Sequence, residues 1–274
     1  MTDLKKEILL GRHGTSERNE VGMYQTGDQF NTDMLSQQGE AEAQLLASEF
    51  ESQKYKPDVI VSSYYRRAIQ TALPISLITG ACIVVPVYDE NWHVHDVSLE
   101  DVKPADGKSL LRELDLPSEL ADLLYDNPEA KRIKKEIRNH LYDPDWHYSN
   151  EENLHDIWHR AGAMSLYLSA RHEKKIYVQT HGGMLKAFLA HVLFNEQEGW
   201  DMRQKLEAYQ AFTSGTWVDN TGIVSIFQLP DGSWQWPISY NRHLSSSFGF
   251  MNNEPSPGHD TPADELHLGK NGGA

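Results

Sequence analysis

Short apolar runs alternate with amphipathic stretches along this chain. Ile8-Leu9-Leu10 is an uninterrupted apolar run that predicts a buried strand, and residues 39–55 place their apolar side chains at helical spacing. The two patterns return, with residues 58–63 as a strand and residues 64–72 as a turn running into a helix. Residues 83–88 predict a third strand. This repetition is typical of a parallel sheet covered by helices.

The middle of the chain loses this regularity. Prolines separate short helical pieces between residues 94 and 150, and we expect a mostly helical insertion that covers one end of the sheet. The pattern then resumes and predicts a helix, a strand, a helix and two further strands, over residues 153–172, 176–180, 184–194, 221–229 and 233–240. The sequence therefore predicts an α/β fold of three α/β/α layers with a mostly parallel central sheet.

The predicted domain organisation is simple. We expect one domain over residues 1–251, followed by a disordered tail over residues 252–274, where Pro, Gly, Asn and Asp dominate. The apolar run near the N-terminus is too short for a signal peptide, and no run approaches the roughly 18 apolar residues that span a membrane. We therefore expect a cytoplasmic protein.

Charge and cysteine content narrow the possible partners. The formal net charge of -15 argues against nucleic acid or an anionic membrane, because both are bound chiefly through surplus Lys and Arg. The single cysteine, Cys82, forms no intramolecular disulfide and is expected to be buried in an apolar segment. An anionic substrate would need a local basic pocket. The sequence does not indicate an oligomeric state.

Such a pocket is predicted at the ends of the strands. Charged or imidazole side chains follow four of them: Arg12 and His13, Arg67, Asp89 and Glu90, and His181. The carboxyl ends of parallel strands meet at one edge of a sheet, so we expect these groups to share a pocket. Guanidinium groups bind phosphate oxygens, an imidazole nitrogen can attack phosphorus, and a carboxylic acid can protonate the leaving oxygen.

Three motifs in this region resemble a known family. Arg12-His13-Gly14-Thr15-Ser16-x-x-Asn19 resembles the RHGxSxxN signature of the histidine phosphatase superfamily, which includes cofactor-dependent phosphoglycerate mutases. Ser63-x-x-x-Arg67-Ala68-x-x-Thr71-Ala72 resembles its second-arginine motif, and Thr180-His181-Gly182-Gly183 its second-histidine motif. Weaker likenesses at Asn220-Thr221-Gly222 and Asn241-Arg242-His243-Leu244 extend the match towards the C-terminus.

The resemblance implies a role for each matching residue. His13 would be the nucleophile that forms a phosphohistidine, while Arg12, Arg67 and His181 would hold the phosphoryl oxygens. Arg67 takes its role rather than Arg66 because it directly precedes Ala68, as in the motif.

Asn19 and Gly182 would also bind substrate, although Asn19 has a second interpretation as a helix cap. Glu90 best fits the general acid, with Asp89 as the second candidate, because both follow the third strand.

The predicted function follows from these roles. Phosphoglycerate mutases of the family carry a paired-arginine stretch that grips the substrate carboxylate, and residues 94–150 contain no clear equivalent. We therefore expect a histidine acid phosphatase-type phosphomonoester hydrolase that acts on a small phosphorylated metabolite. A mutase-type phosphotransferase is the first alternative, and a non-catalytic phosphate-binding module is the second.

No cofactor or metal is expected. The pairs His93 and His95, and His155 and His159, have ligand-like spacing, but two ligands do not make a metal site.

Overall fold

The computed structural model describes residues 6–23, 33–89, 91–101, 108–114, 117–120, 123–149, 152–216 and 218–236. Its strands are β1 (Lys6–Arg12), β2 (Val59–Ser62), β3 (Ile83–Tyr88), β4 (Val94–Ser98), β5 (Lys108–Ser109), β6 (Lys175–Thr180), β7 (Ile223–Gln228) and β8 (Trp234–Gln235). Its α-helices are α1 (Glu17–Val21), α2 (Gln37–Ser52), α3 (Arg66–Thr79), α4 (Pro128–Asn139), α5 (Leu154–Ala170), α6 (Gly182–Phe194) and α7 (Met202–Gly215), with a 3-10 turn at Ser118–Leu120.

The strands form one mixed sheet in the order β4-β3-β2-β6-β1-β7-β8, with β5 attached to β3. The four central strands β3, β2, β6 and β1 run parallel, and the outer strands pair antiparallel to their neighbours. The carboxyl ends of β1, β2 and β6 therefore lie at the same edge. This arrangement confirms the predicted α/β class and the mostly parallel core.

The alternation of side chains along β1 creates two apolar cores, one on each face of the sheet. Leu9 lies in register with Tyr177 on β6 and packs on the face covered by α2 and α3. Its neighbours Ile8 and Leu10 are fully buried on the opposite face, against α5, α6 and α7. These two helical layers give the three-layer arrangement that the sequence predicts.

The insertion differs from the prediction of a mostly helical segment. It begins with two strands, because Val94–Ser98 pairs antiparallel with β3 and Lys108–Ser109 pairs with the last two residues of β3. β4 occupies one edge of β3 at Val87 and Tyr88, so β5 lies on the other edge, beyond the end of β2. Among the described residues of this segment, helical structure comes only later, in the 3-10 turn and in α4. The polar, largely exposed sequence of β4 gives no alternation from which a strand could be predicted.

Three smaller predictions can be compared with the structure. Cys82 is exposed rather than buried, because it precedes β3 and points away from the core that Ile83 and Val85 enter. The last predicted strand is observed only as β8, and its remainder and the 252–274 tail lie outside the described residues. In the part of the chain that the structure describes, no helix has the length and apolar character needed to cross a membrane.

Candidate active site

The loop after β1 is fixed by backbone hydrogen bonds on both sides. The His13 amide donates to the Thr180 carbonyl at the end of β6 (3.1 Å), and the Thr221 amide donates to the His13 carbonyl (3.2 Å). The Gly14 amide donates to the Thr71 hydroxyl on α3 (3.0 Å). His13 therefore sits at the point where β1, β6 and α3 meet, as the strand order predicts.

Thr221 reaches this position in an unusual backbone conformation. Its φ of 55° is in the left-handed region, which β-branched residues rarely adopt. Such a conformation costs about 1–3 kcal/mol and is found mostly where the surrounding contacts impose it, often at functional sites. Here it allows the amide of Thr221 to reach the His13 carbonyl.

The imidazole of His13 is 1% exposed, and its contacts define which nitrogen can react. Nδ1 lies 2.7 Å from the Gly14 carbonyl, which only accepts hydrogen bonds, so we assign the ring proton to Nδ1. Nε2 is then the atom with a lone pair, and it accepts a hydrogen bond from Arg67 Nε at 3.2 Å. Burial first, and then Arg67, His181 and Arg12, hold the pKa of His13 well below its usual value. The ring is therefore a neutral base at physiological pH.

Arg67 lies in the first turn of α3 and is 2% exposed. Its guanidinium contacts two carboxylates, Asp33 Oδ2 at 3.5 Å and Glu113 Oε2 at 3.8 Å, and it lies 4.8 Å from the ring of Tyr65. Asp33 is itself buried, so the two groups form a buried ion pair that holds Arg67 beside His13. Sequence reasoning missed Asp33.

His181 directly follows β6 and is fully buried. Its Nε2 lies 2.8 Å from the Ser63 hydroxyl, and its ring centre lies 5.1 Å from that of His13. Its Nδ1 faces Glu113 Oε2 at 3.4 Å. Burial first and then Arg67 lower the pKa of His181 to about 4, against a smaller opposing effect of Glu113. The structure thus brings together the two histidines and Arg67, as the sequence predicts.

The carboxylate in this pocket is Glu113, which the sequence reasoning did not identify. Its side chain is 19% exposed and contacts both His181 and Arg67. Burial alone would raise the pKa of Glu113, but His181 and Arg67 outweigh it and lower that pKa to about 2. A signal was available: Leu110-Leu111-Arg112-Glu113 is an apolar run that ends in a charged pair, like the end of β1.

The two predicted acids have different outcomes. Glu90 lies outside the described residues, so its role stays a prediction. Asp89 belongs to the turn between β3 and β4, where its carboxylate accepts hydrogen bonds from the amides of Asn91 (2.8 Å) and His93 (3.0 Å). The hydrogen bond from the His93 amide is the main reason why the pKa of Asp89 is lowered, and the one from Asn91 adds to it. The side chain of Asp89 is 47% exposed. Asp89 thus acts as a turn former in this structure.

Asn19 is part of a helix cap. Its side-chain oxygen accepts a hydrogen bond from the Ser16 amide, and the Ser16 hydroxyl accepts one from the Asn19 amide, both at 3.3 Å. This capping box begins α1 and confirms the interpretation as a helix cap, while substrate binding by Asn19 stays a prediction.

The start of α6 supplies backbone donors beside Arg12. His181 is the N-cap residue and makes no side-chain capping hydrogen bond, so the amides of the first turn, from Gly182 onward, are available to an anion. A Cβ at Gly182 would lie 3.4 Å from the Arg12 side chain, which shows how closely the two residues approach. Arg12 itself donates to the Val218 carbonyl at 2.9 Å. The start of α3 likewise has no side-chain cap.

The same pocket holds one set of possible metal ligands. Ligand atoms of His13, Glu113 and His181 lie within 4.8 Å of one another, the only such group of three among the residues described. Arg67 donates to one of these ligand atoms and contacts another. Two guanidiniums, two neutral imidazoles and two helix N-termini favour an anion over a cation here. Of the other histidines with ligand-like spacing, His93 pairs with Asp89 and His155 lies 3.3 Å from a backbone carbonyl.

Several solved structures with a similar fold are named as phosphatases. A phosphoserine phosphatase mutant from Entamoeba histolytica, in complex with phosphoserine, aligns with a TM-score of 0.60 over 87% of this chain and 99% of its own, at 18% identity. A mycobacterial glucosyl-3-phosphoglycerate phosphatase aligns with a TM-score of 0.58 over 84% of this chain and 96% of its own, also at 18% identity. At such identity these likenesses show the fold.

Sequence comparison adds a relative and a family. The protein named "Putative phosphoserine phosphatase 2" from Hydrogenobacter thermophilus is 45% identical over 80 residues, which is 29% of this chain and 37% of that protein. The chain thus matches little more than a third of this relative's length. The family model of the histidine phosphatase superfamily (branch 1) matches residues 8–93 and 102–220, and β4 lies in the gap between them. The chain therefore belongs to the histidine phosphatase superfamily.

Proposed function

We propose that this protein hydrolyses phosphomonoesters of small metabolites through a phosphohistidine on His13. The observation that carries the proposal is the grouping of His13, His181 and Glu113 in one buried pocket, where one ring nitrogen of each histidine and a carboxylate oxygen of Glu113 lie within 4.8 Å of one another and Arg67 lies alongside. A nucleophile, a proton donor and cationic groups for the phosphoryl oxygens are what phosphoryl transfer requires. Membership of the superfamily supports a phosphatase.

In the first step, the Nε2 lone pair of His13 forms a bond to phosphorus while the ester P–O bond breaks. The electron pair of that bond stays on the leaving oxygen, which takes a proton from Glu113. Arg12, Arg67 and His181, with the amide of Gly182, hold the other phosphoryl oxygens and stabilise their charge. Substrate would displace the Arg67 hydrogen bond from His13 Nε2 and take its place.

In the second step, the Glu113 carboxylate takes a proton from a water molecule. The water oxygen bonds to phosphorus, the Nε2–P bond breaks, and inorganic phosphate leaves, so that the neutral imidazole of His13 is restored. Before substrate binds, the low pKa of Glu113 keeps it ionised. A bound phosphate group adds negative charge beside the Glu113 carboxylate and raises its pKa. A substrate that binds as the monoanion brings the proton that Glu113 then holds and passes to the leaving oxygen.

The test measures phosphate release in EDTA from p-nitrophenyl phosphate, phosphoserine, 3-phosphoglycerate and a panel of sugar phosphates. We expect release, and we expect a phosphohistidine trapped by acid-free quenching to be lost in His13→Ala. His172→Ala is the control, because that imidazole is 94% exposed. Isomerisation of 3-phosphoglycerate faster than any hydrolysis would favour the mutase. Phosphate binding without turnover would favour the binding module.

The acid is tested by three substitutions. Glu113→Gln should lower kcat for an alkyl phosphate by about 10²–10⁴-fold, the usual contribution of general acid catalysis. Glu90→Gln and Asp89→Asn should leave kcat near the wild-type value. A large loss in Glu90→Gln with none in Glu113→Gln would return the acid role to Glu90.

A further inference from the structure

A buried charge network lies directly behind Glu113. Arg160 on α5 is fully buried, and it donates through Nε (2.8 Å) and Nη2 (2.5 Å) to both carboxylate oxygens of Glu152. Arg112 donates to the same carboxylate at 2.8 Å. Two guanidiniums thus share one buried carboxylate, an arrangement that a requirement for stability alone does not favour, because apolar residues of similar size often stabilise such a site more.

The remaining donors of Arg160 explain why it is there. Its Nη1 atom donates to the Arg112 carbonyl at 2.7 Å and to the Leu110 carbonyl at 3.4 Å. Its Nη2 atom donates to the Glu113 carbonyl at 3.4 Å. The intervening Leu111 carbonyl accepts from the Thr180 hydroxyl at 2.9 Å. Four consecutive carbonyls of an irregular segment are therefore held by side chains rather than by a strand partner.

We propose that Arg160 is a positioning residue that fixes the segment carrying Glu113, so that the carboxyl group stays within reach of the leaving oxygen. This inference rests on the proposed function, in which the breaking P–O bond leaves its electron pair on an oxygen that takes the Glu113 proton. The hydrogen bonds described for Arg160 go to Glu152 and to backbone carbonyls, and none goes to a group proposed to bind the phosphoryl oxygens. It acts through the backbone of residues 110–113, and Glu152 orients it.

The chain offers a matched control at the far end of the same helix. Arg171 follows α5 directly, is also largely buried, and pairs with two carboxylates, Asp96 and Glu173. Its partners lie on β4 and in the loop before β6, and the contacts described for it do not involve residues 110–113. Arg171→Gln therefore removes a comparable network without disturbing Glu113.

The experiment compares two substrates that differ in their need for an acid. p-Nitrophenolate leaves as a stable anion, whereas the alkoxide of an alkyl phosphate needs a proton. Glu113→Gln should slow hydrolysis of the alkyl phosphate much more than that of p-nitrophenyl phosphate, and we expect Arg160→Gln to show the same selectivity. In Arg160→Gln, kcat/KM for the alkyl phosphate should fall about 10²-fold, as for a catalytic group displaced by about 1 Å. The value for p-nitrophenyl phosphate should change little. Arg160→Lys, which keeps the charge and a donor, should recover part of the loss.

Each other outcome has a definite meaning. If Arg160→Gln and Arg171→Gln both slow the two substrates equally, Arg160 is only structural and the inference is wrong. If Glu113→Gln is not selective, the acid assignment and this inference fall together while the phosphatase activity stands. A wild-type protein that hydrolyses neither ester would reject the proposed function as well. If the Arg160 variants do not fold, Glu152→Gln replaces them, because it removes the carboxylate that orients Arg160.

Discussion

At the residue scale, burial beside cations sets the protonation of the pocket. His13 and His181 lie next to Arg67, and for both imidazoles burial is the largest reason why the pKa is lowered. The proposed mechanism needs a neutral His13, because only the neutral imidazole has a lone pair on Nε2, and a neutral His181 can donate a hydrogen bond without adding to the positive charge of the pocket. Because burial disfavours the protonated form of these two imidazoles, the stability of the folded protein depends on pH.

The stability of the folded protein should therefore fall in mild acid. The pKa of His181 is about 4 in the folded protein against 6.5 for the free side chain, so the unfolded chain binds a proton first as the pH falls below 6.5. Stability is then lost progressively between pH 6.5 and pH 4, by about 2 kcal/mol from this residue between pH 7 and pH 5. Urea denaturation of His181→Gln at several pH values should show a shallower dependence.

His172→Gln is the control for this measurement. The side chain of His172 is 94% exposed, so its solvation hardly changes on unfolding and the wild-type dependence should remain. An equally steep dependence in His181→Gln would mean that other groups cause the acid sensitivity.

At the scale of elements, the first turn of α2 holds the loop that carries His13. The Ser36 amide and hydroxyl both donate to the Thr15 carbonyl, at 2.9 and 3.2 Å, and Glu42 accepts from the Thr15 amide and hydroxyl. Gly39 allows this approach, because a Cβ there would lie 1.9 Å from the Thr15 carbonyl oxygen. The helix and the loop meet backbone to backbone.

We expect Gly39→Ala to lower both stability and activity. The added methyl group must push α2 away from the loop, and overpacking of this kind typically costs about 1–3 kcal/mol. The displaced loop would move His13, so kcat should fall together with the free energy of unfolding. Thermal denaturation and phosphatase assays measure the two effects.

Gly215→Ala provides the comparison. Gly215 ends α7, and nothing lies within 4 Å of a Cβ added there. The free energy of unfolding of Gly215→Ala should therefore differ from the wild-type value by less than about 1 kcal/mol. If Gly39→Ala behaves like Gly215→Ala, the contact between α2 and the loop has been overestimated.

At the scale of the whole molecule, the proposed function requires a protein of net charge -15 to bind an anion. The positive groups for this purpose are concentrated in one pocket, and Arg67 is almost completely buried there. The long-range field of the remaining charges repels an anionic substrate, whereas the buried contacts are only weakly screened by salt.

Added salt should therefore raise kcat/KM for a phosphomonoester. Between about 10 and 100 mM salt the Debye length falls from about 30 to about 10 Å, which screens the repulsion at a distance but not the contacts in the pocket. Measurements in choline chloride and in potassium glutamate separate screening from competition by a particular anion. A steady fall of kcat/KM in both salts would contradict this expectation.

The sequence by itself determined the parts of the fold that depend on local pattern. Apolar runs define the central strands, and parallel strands place their carboxyl ends at one edge, so Arg12, His13, Arg67 and His181 could be assigned to one pocket. Each of these residues lies at or just after the end of a strand or in the first turn of a helix, and its position therefore follows from the element beside it.

Only the tertiary structure decided which acid the pocket contains. Glu113 reaches it because β5 pairs with β3 and because Arg160, 47 residues further along the chain, binds the Glu113 carbonyl. Such contacts between distant residues leave no periodic pattern in the sequence, and the apolar run of residues 110–111 is too short to show by itself where Glu113 lies. Asp33 reaches Arg67 in the same way, across the fold. The position of His13, the proposed nucleophile, could thus be predicted from the sequence, whereas the positions of Asp33 and Glu113 beside it depend on long-range packing.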